Sequence, residues 1–368
     1  HVRSRRQRQM CIRDRWIITP QILLVAFRKR LFDSVGGRKT HSGIVPRLGG
    51  VVFVPVQCFL LVLSMFFMYK LEITSYLQDP FIPFQFLLLM IGLLILNMVG
   101  VIDDLIRINY RRKFVAQIVA SSFLPLSGLW INDLYGLLGI TTLSPWIGMP
   151  LTVFVAVFII NAVNLIDGID GLCSGLVGMG ALVFGFLFIY NAAWLHAVFA
   201  FITAGVLCPF FYYNVFGKSK GRQRIFMGDT GSLTLGLSMA FLAISYAMNN
   251  PLIKPFSEGA IVVSFATLIV PLFDVVRVVR IRYFQHKPLF MPDQNHIHHK
   301  FLRVGMSHYV AMILILALAL FFSFFNIVAV EYISNNIVIF IDIVLWIAFH
   351  LWLDRRELIR AKHGVANN

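Results

Sequence analysis

Charged residues are scarce in this chain of 368 residues: they make up 13% of it, where a soluble domain usually carries about 25%. A hydrophobic content of 58% and a mean hydropathy of +0.79 point the same way. Cysteine is also rare, and its spacing indicates neither disulfides nor a metal site, so we interpret these residues as small hydrophobes. They are Cys11, Cys58, Cys173 and Cys208. The composition excludes an ordinary soluble domain and indicates an integral membrane protein.

Apolar runs near the length of a membrane span recur along the chain. They predict an all-α, polytopic membrane protein with 10–11 transmembrane helices in one domain over residues 16–353. The segments are 16–27, 48–69, 81–102, 114–130, 146–165, 172–190, 192–213, 231–248, 260–277, 308–328 and 333–353.

The first fifteen residues carry six Arg and lead into an apolar run that is too short to span a bilayer. Pro20 and the lack of a small-residue cleavage site exclude a signal peptide. We expect residues 1–15 to be a non-native arm that replaces the true start of helix 1. A basic juxtamembrane arm is the alternative interpretation.

Lys and Arg are distributed very unevenly between the predicted loops. If the loop after helix 1 is cytoplasmic, that side holds 24 of the 32 basic residues, and the loops of the other side hold only Lys70 and Lys254. The remaining six are the Arg residues of the arm 1–15, which would lie on the outer side against the rule. This bias is the positive-inside pattern of membrane proteins. It also explains the net charge of +15 without a nucleic acid partner. The cytoplasmic segments are 28–47, 103–113, 214–230, 277–307 and the basic tail 354–368.

The polar motifs lie at the cytoplasmic ends of these helices, and the outer loops are short and bland. A transporter would place polar groups near the bilayer midplane, often in two related halves, and no such repeat is present. The sequence therefore predicts a site at the inner membrane surface. Its motifs are "VIDDLIRIN", "NAVNLIDGIDGL", "FMGDTGS" and "PDQNHIHHK".

Two adjacent carboxylates, Asp103 and Asp104, follow the third apolar run. On a helix, adjacent side chains point about 100° apart, so we expect the two to have different functions. One would accept a proton, and the other would orient a base or a metal. A solvated helix end beside Arg107 is the alternative.

The second motif sets Asn164 and Asp167 on one helix face, with Asp170 three residues further. Gly168 and Gly171 allow the chain to bend and to approach a ligand there. In the third motif, Asp229 comes just before a helix, where a helix N-cap is the alternative to ligand binding. Carboxylate and amide oxygens are the donors that Mg²⁺ uses, together with substrate phosphates.

The fourth motif contains His296, His298 and His299, followed by Lys300. No Cys or carboxylate stands at a spacing useful for zinc, so we favour anion binding, because imidazole and ammonium groups pair with phosphate. Further basic residues lie on the same side, and they are Lys39, Arg111, Arg112 and Lys113. Acidic residues for a metal and basic residues for phosphates predict a nucleotide-diphosphate site.

These four motifs, in this order and with this topology, resemble the polyprenyl-phosphate N-acetylhexosamine-1-phosphate transferases. The resemblance covers nearly the whole chain from about residue 30. The "HIHH" run resembles the bacterial enzymes that transfer N-acetylglucosamine-1-phosphate to undecaprenyl phosphate. It implies a UDP-N-acetylhexosamine donor, release of UMP, Mg²⁺ with Mn²⁺ as alternative, and an inner-membrane location with a cytoplasmic active site.

The resemblance also implies roles for individual residues. Asp229 would be the principal metal ligand with Asn164 beside it, and Asp103 or Asp104 would take a proton or hold the lipid. Lys113 would meet the lipid phosphate, although Leu105 stands where many relatives have a basic residue. Other positions are implied to contact the nucleotide or the diphosphate, namely Lys39, Asp167, Asp170, Asn214, His296, His298 and His299.

Several alternatives stay open at this point. The sugar could be the muramoyl-pentapeptide or a modified N-acetyl sugar, a covalent Asp intermediate could replace direct attack, and the chain could act as a monomer or a homodimer. A membrane prenyltransferase and a transporter are the alternatives outside the family. We interpret Asp274 as an internal ion pair with Arg277, and His196 and His350 as structural. The sequence suggests no partner for Asp342.

Overall fold

The structure of the protein is a computed structural model, which describes residues 48–71, 81–217, 225–286 and 295–366. The predicted arm 1–15, the segment 16–27 and Lys39 lie outside the described residues. Within these ranges, a 3₁₀ turn, Leu48–Val52, precedes twelve helices and one hairpin. They are α1 Phe53–Lys70, α2 Phe81–Ile106, α3 Tyr110–Leu126, β1 Asp133–Leu137, β2 Ile140–Thr142, α4 Pro145–Ile166, α5 Leu172–Tyr190, α6 Trp194–Phe216, α7 Gly228–Ala247, α8 Ala260–Ala266, α9 Ile269–Phe284, α10 Ile297–Val304, α11 His308–Ala329 and α12 Asn335–Ala366.

Eight helices in the described part of the chain are long and apolar enough to cross a membrane. They are α1 (with the preceding turn), α2, α4, α5, α6, α7, α11 and α12. The pair α8 and α9 bends by 79° at the break between them and counts as a ninth candidate only if the two are taken as one span. The run predicted as a span over 114–130 is the 17-residue helix α3, which is not among the candidate spans of the described residues. The prediction of an all-α polytopic membrane protein is confirmed.

Two segments differ in detail from the sequence prediction. The short outer loop before α4 contains the antiparallel hairpin of β1 and β2. The predicted tail 354–368 continues helix α12 as far as Ala366. Helix α12 therefore extends beyond the apolar run, and this extension packs against α10.

Helix α7 lies at the centre of the bundle, and its residues from Thr230 to Ala247 are all buried. Small side chains on and around it let the neighbouring helices come close, as is common in membrane bundles. A Cβ added to Gly236 would lie 2.7 Å from Cα of Ile160 on α4, and one added to Gly100 on α2 would lie 2.4 Å from Cα of Thr230. This contact brings the ends of α2 and α4 to the start of α7.

The polar residues that we interpreted as structural lie inside the bundle. The ring of His196 packs against Phe86 and Phe188, each with a centroid distance of 5.0 Å. Asp342, for which the sequence suggested no partner, accepts a hydrogen bond of 3.1 Å from the side-chain amide of Asn326.

Candidate active site

The end of α2 and the start of α7 bring two carboxylates onto one ammonium group. Lys113, in the first turn of α3, lies 2.8 Å from Oδ2 of Asp103 and also pairs with Oδ2 of Asp229. The second oxygen of Asp103 accepts a hydrogen bond of 2.8 Å from the backbone N–H of Ile108. The linker between α2 and α3 is thereby held in place, and Lys113 reaches Asp229, which lies 116 positions later in the sequence.

Asp104 faces a different partner from Asp103, as the angle between adjacent helical side chains predicts. Its carboxylate accepts hydrogen bonds from the backbone N–H groups of Asp229 (2.9 Å) and Thr230 (3.0 Å) and from the Thr230 hydroxyl (2.6 Å). These donors open helix α7, where the first N–H groups have no partner within the helix. The sequence suggested Asp229 as the N-cap of α7. The capping acceptor is instead Asp104, and Asp229 lies inside the first turn of α7.

Replacing Asp104 by alanine is expected to lower the free energy of unfolding by about 1–2 kcal/mol, because half-buried N–H groups would lose their acceptor. Equilibrium unfolding in detergent measures this loss. The matched control is Asn109→Ala, which removes the exposed cap of α3 that accepts from Arg111 N. Water can replace that acceptor, so an equal or larger loss in the control would contradict the assignment of Asp104 as the cap of α7.

Amide side chains from α4 complete this cluster. Asn164 donates hydrogen bonds to Oδ1 of Asp229 (3.1 Å) and to the hydroxyl of Ser232 (2.7 Å). One turn earlier, Asn161 donates to the side-chain carbonyl of Gln117 on α3 (2.7 Å). Asn164 therefore orients the Asp229 carboxylate. The sequence reasoning missed Ser232 and Gln117 because their partners lie on other helices.

The turn between α4 and α5 carries Asp167 and Asp170. Asn214, at the end of α6, accepts a hydrogen bond of 2.6 Å from the N–H of Gly171 and donates one of 2.8 Å to the carbonyl of Ile225. Gly171 has φ +77°, a left-handed conformation that favours glycine. Asn214 also lies 3.5 Å from Oδ1 of Asp170. It thus fixes the turn, so the two predicted nucleotide residues project from a rigid bend.

The histidine motif folds into α10 and covers this turn. A Cβ added to Gly168 would lie 2.2 Å from Nε2 of His298, so the imidazole ring lies directly against the glycine backbone. His298 is buried, and among the described residues neither of its ring nitrogens has a hydrogen-bond partner. Burial, with His299 and His296 nearby, lowers the pKa of His298 to about 3. A neutral imidazole therefore faces the turn at neutral pH.

Asp274 has a larger part in the site than its sequence position suggested. The predicted ion pair with Arg277 is present at 2.7 Å. The same carboxylate also pairs with Nδ1 of His296 at 2.9 Å and accepts from the N–H of Ile297 at 3.0 Å. Asp274 therefore anchors the start of α10 to α9. The sequence shows only an Asp in an apolar run with Arg277 three residues later. That spacing predicts the ion pair, but it does not indicate the contact with His296.

The structure brings almost all predicted site residues to one end of the bundle in two adjoining groups, with Lys39 outside the described residues. Within the described ranges, no group of three or more His, Cys, Asp or Glu side chains is arranged to hold a metal ion. Asp103 and Asp229 nevertheless converge on one cation, the ammonium of Lys113. Because Mg²⁺ usually takes one or two carboxylates with waters and phosphate oxygens, this donor set fits Mg²⁺.

The fold and this arrangement define a multi-pass membrane protein with a carboxylate- and histidine-lined site at the helix ends. Residues 86–247 match the model of glycosyl transferase family 4. This match spans α2 to α7, from the carboxylate pair to the central helix. Together with the relatives below, it shows that the chain is similar to that family.

Relatives of known name cover most of the chain. It is 29% identical to a probable undecaprenyl-phosphate N-acetylglucosaminyl 1-phosphate transferase of Bacillus subtilis, over 83% of this chain and 79% of the relative. It is 29% identical to an undecaprenyl-phosphate alpha-N-acetylglucosaminyl 1-phosphate transferase of Yersinia pestis, over 79% and 74%. The transferase of that name from Shigella flexneri is 28% identical over 94% and 90%.

Proposed function

We propose that this protein transfers N-acetylglucosamine-1-phosphate from UDP-N-acetylglucosamine to undecaprenyl phosphate, with release of UMP. The names of the relatives support both the sugar and the lipid acceptor. The observation that carries the proposal is the Asp229 carboxylate at the start of the buried helix α7, held between Lys113 and Asn164. Such a group suits the counter-ion of a diphosphate substrate.

In the proposed reaction, an oxygen of the lipid phosphate attacks the β-phosphorus of the UDP-sugar. The bond from that phosphorus to the bridging oxygen breaks, and UMP leaves with the bond electrons. Phosphoryl-type transfer depends mostly on positioning and electrostatics. Asp103 would accept the remaining proton of the lipid phosphate, and Lys113 would offset the charge of the phosphates. The turn with Asp167 and Asp170 would hold the nucleotide under the histidines of α10.

Asp229 would hold Mg²⁺, with the carbonyl oxygen of Asn164 as a further donor. When bound, the ion would neutralise charge on the diphosphate and stabilise UMP as the leaving group. Lys113 pairs with the carboxylates of Asp103 and Asp229. Its ammonium group and the metal ion would therefore both be balanced by the negative charge of these two carboxylates.

The deciding experiment measures UMP release by the purified protein with undecaprenyl phosphate, Mg²⁺ and a panel of UDP-sugars. UMP from UDP-N-acetylglucosamine is the expected result. Release of UMP only from UDP-muramoyl-pentapeptide or from a modified N-acetyl sugar would support the proposed type of reaction but reject N-acetylglucosamine as the transferred sugar. No UMP from any donor in the presence of the lipid phosphate would reject the enzyme function.

We also propose that the site faces the cytoplasm of a bacterial inner membrane. In a variant without the native cysteines, a membrane-impermeant thiol reagent should label Ser257→Cys, between α7 and α8, in intact cells. It should label Arg355→Cys, near the end of α12, only after the membrane is opened. Both positions are exposed at the protein surface, so the opposite pattern would reverse the proposed orientation.

A further inference from the structure

The helix that carries the histidines is tied to the last turns of α12 by two ion pairs. Nζ of Lys300 lies 2.5 Å from Oδ1 of Asp354, and Nε of Arg303 lies 2.7 Å from Oε1 of Glu357. On each helix the two charged residues are three positions apart, so they share one face. The pairs therefore form two successive rungs between α10 and α12, which we call the α10–α12 latch.

The two rungs differ in burial. The side chain of Lys300 is 9% exposed, while Asp354 is 48% exposed. In the second rung, Arg303 is 38% exposed and Glu357 is 32% exposed. Removing Asp354 would leave a buried ammonium without its carboxylate, which is costly. The outer pair is screened by water and contributes less, so the first rung dominates the latch.

Apolar and backbone contacts accompany the ion pairs. The ring of Phe301 on α10 lies 6.0 Å from that of Phe349 on α12. Helix α10 ends at Val304, and Gly305, which caps it, has φ +95°. A Cβ added to Gly305 would overlap the guanidinium of Arg360. The part of α12 from Phe349 to Arg360 thus packs against α10.

Helix α10 is therefore held at both ends. Asp274 on α9 anchors its start through His296 and the N–H of Ile297, and the latch anchors its last turn. Between these two anchors, the ring of His298 lies against Gly168. Because α10 spans only eight residues, a shift at either end would move the imidazole of His298 relative to the turn with Asp167 and Asp170.

We propose that Asp354 is a positioning residue of the active site: through Lys300 it sets the position of α10, and thereby of His298 over the turn with Asp167 and Asp170. The inference rests on the proposed transferase function for its kinetic consequence. It assigns the end of α12 to the site through its ion pairs with α10.

The test exchanges the charges of the first rung. Asp354→Lys is expected to lower kcat/KM for the UDP-sugar by about tenfold or more, with KM for undecaprenyl phosphate unchanged. Combining it with Lys300→Asp should restore kcat/KM to within about threefold of the unaltered protein, because the pair re-forms with opposite polarity. The matched control is Arg355→Ala, which removes a charge from the exposed side of the same turn and should leave kcat/KM unchanged.

Hydrogen exchange gives a measurement that does not depend on catalysis. Amides of residues 295–306 should exchange at least about tenfold faster in Asp354→Lys than in the unaltered protein, and the charge exchange should restore protection. If Asp354→Lys does not fold, Asp354→Asn serves in the same two measurements. Unchanged exchange in α10, or a loss of kcat/KM that the charge exchange does not recover, would overturn the proposal. If the unaltered protein releases no UMP, the proposed function fails, and the exchange data alone decide whether the latch holds α10.

Discussion

Replacing Asp229 by asparagine is expected to abolish UMP release, with a fall in turnover of at least about a thousandfold. The asparagine has nearly the same shape, and its carbonyl oxygen can still accept from Asn164, but it carries no charge. The ion pair with Lys113 would be lost, and the proposed binding of Mg²⁺ by this side chain would be lost as well. Turnover of UDP-N-acetylglucosamine with undecaprenyl phosphate measures the effect. Chelation of the metal should give the same loss reversibly.

The matched control for this variant is Asp133→Asn. Asp133 is also buried, and it accepts a hydrogen bond from the N–H of Tyr135 in the hairpin. It precedes α4, whereas the site lies at the far end of that helix, about 30 Å away. The control should insert in the membrane and turn over normally. If Asp229→Asn kept more than about a tenth of the activity, it would cost less than about 1.4 kcal/mol of transition-state stabilisation, too little for a principal metal ligand.

The second large effect is expected from Gly168→Ala, which adds one methyl group to the turn between α4 and α5. That carbon would lie 2.2 Å from Nε2 and 2.3 Å from Cε1 of His298, which real structures do not tolerate. The ring cannot move freely, because it is buried beside His296 and His299. Helix α10 or the turn must shift, and a misplacement near 1 Å can cost about a hundredfold in rate. Steady-state kinetics with the UDP-sugar measures this loss.

Gly205→Ala is the matched control, because a Cβ there meets nothing within 4 Å. A combination with His298→Ala then identifies the cause. If the methyl group acts by displacing the imidazole, Gly168→Ala should add little to the loss already caused by His298→Ala. A full additional loss in the double variant would mean that the methyl group disturbs the turn itself, and our account of the His298 contact would be wrong.

Much of the fold could be predicted because a bilayer imposes simple demands on a sequence. A helix that crosses the bilayer needs a long apolar run, and such runs lie within all eight candidate spans of the described chain. Asn164, Asp167 and Asp170 were predicted together because helical spacing and nearby glycines place them at one helix end. The 79° break between α8 and α9 and the hairpin before α4 were not predicted, because the apolar pattern alone shows neither.

The sequence alone predicted which polar residues lie at the helix ends and in what order, since these side chains interrupt apolar runs. Their partners depended on how the helices pack. Asp104 accepts a hydrogen bond from the N–H of Asp229, 125 residues later, and Lys113 meets Asp229 across 116 residues. Asp274 reaches His296, and Lys300 reaches Asp354, only because α9 and α12 enclose α10. Spacing rules act within one helix, whereas these contacts join different helices, so only three-dimensional packing could specify them.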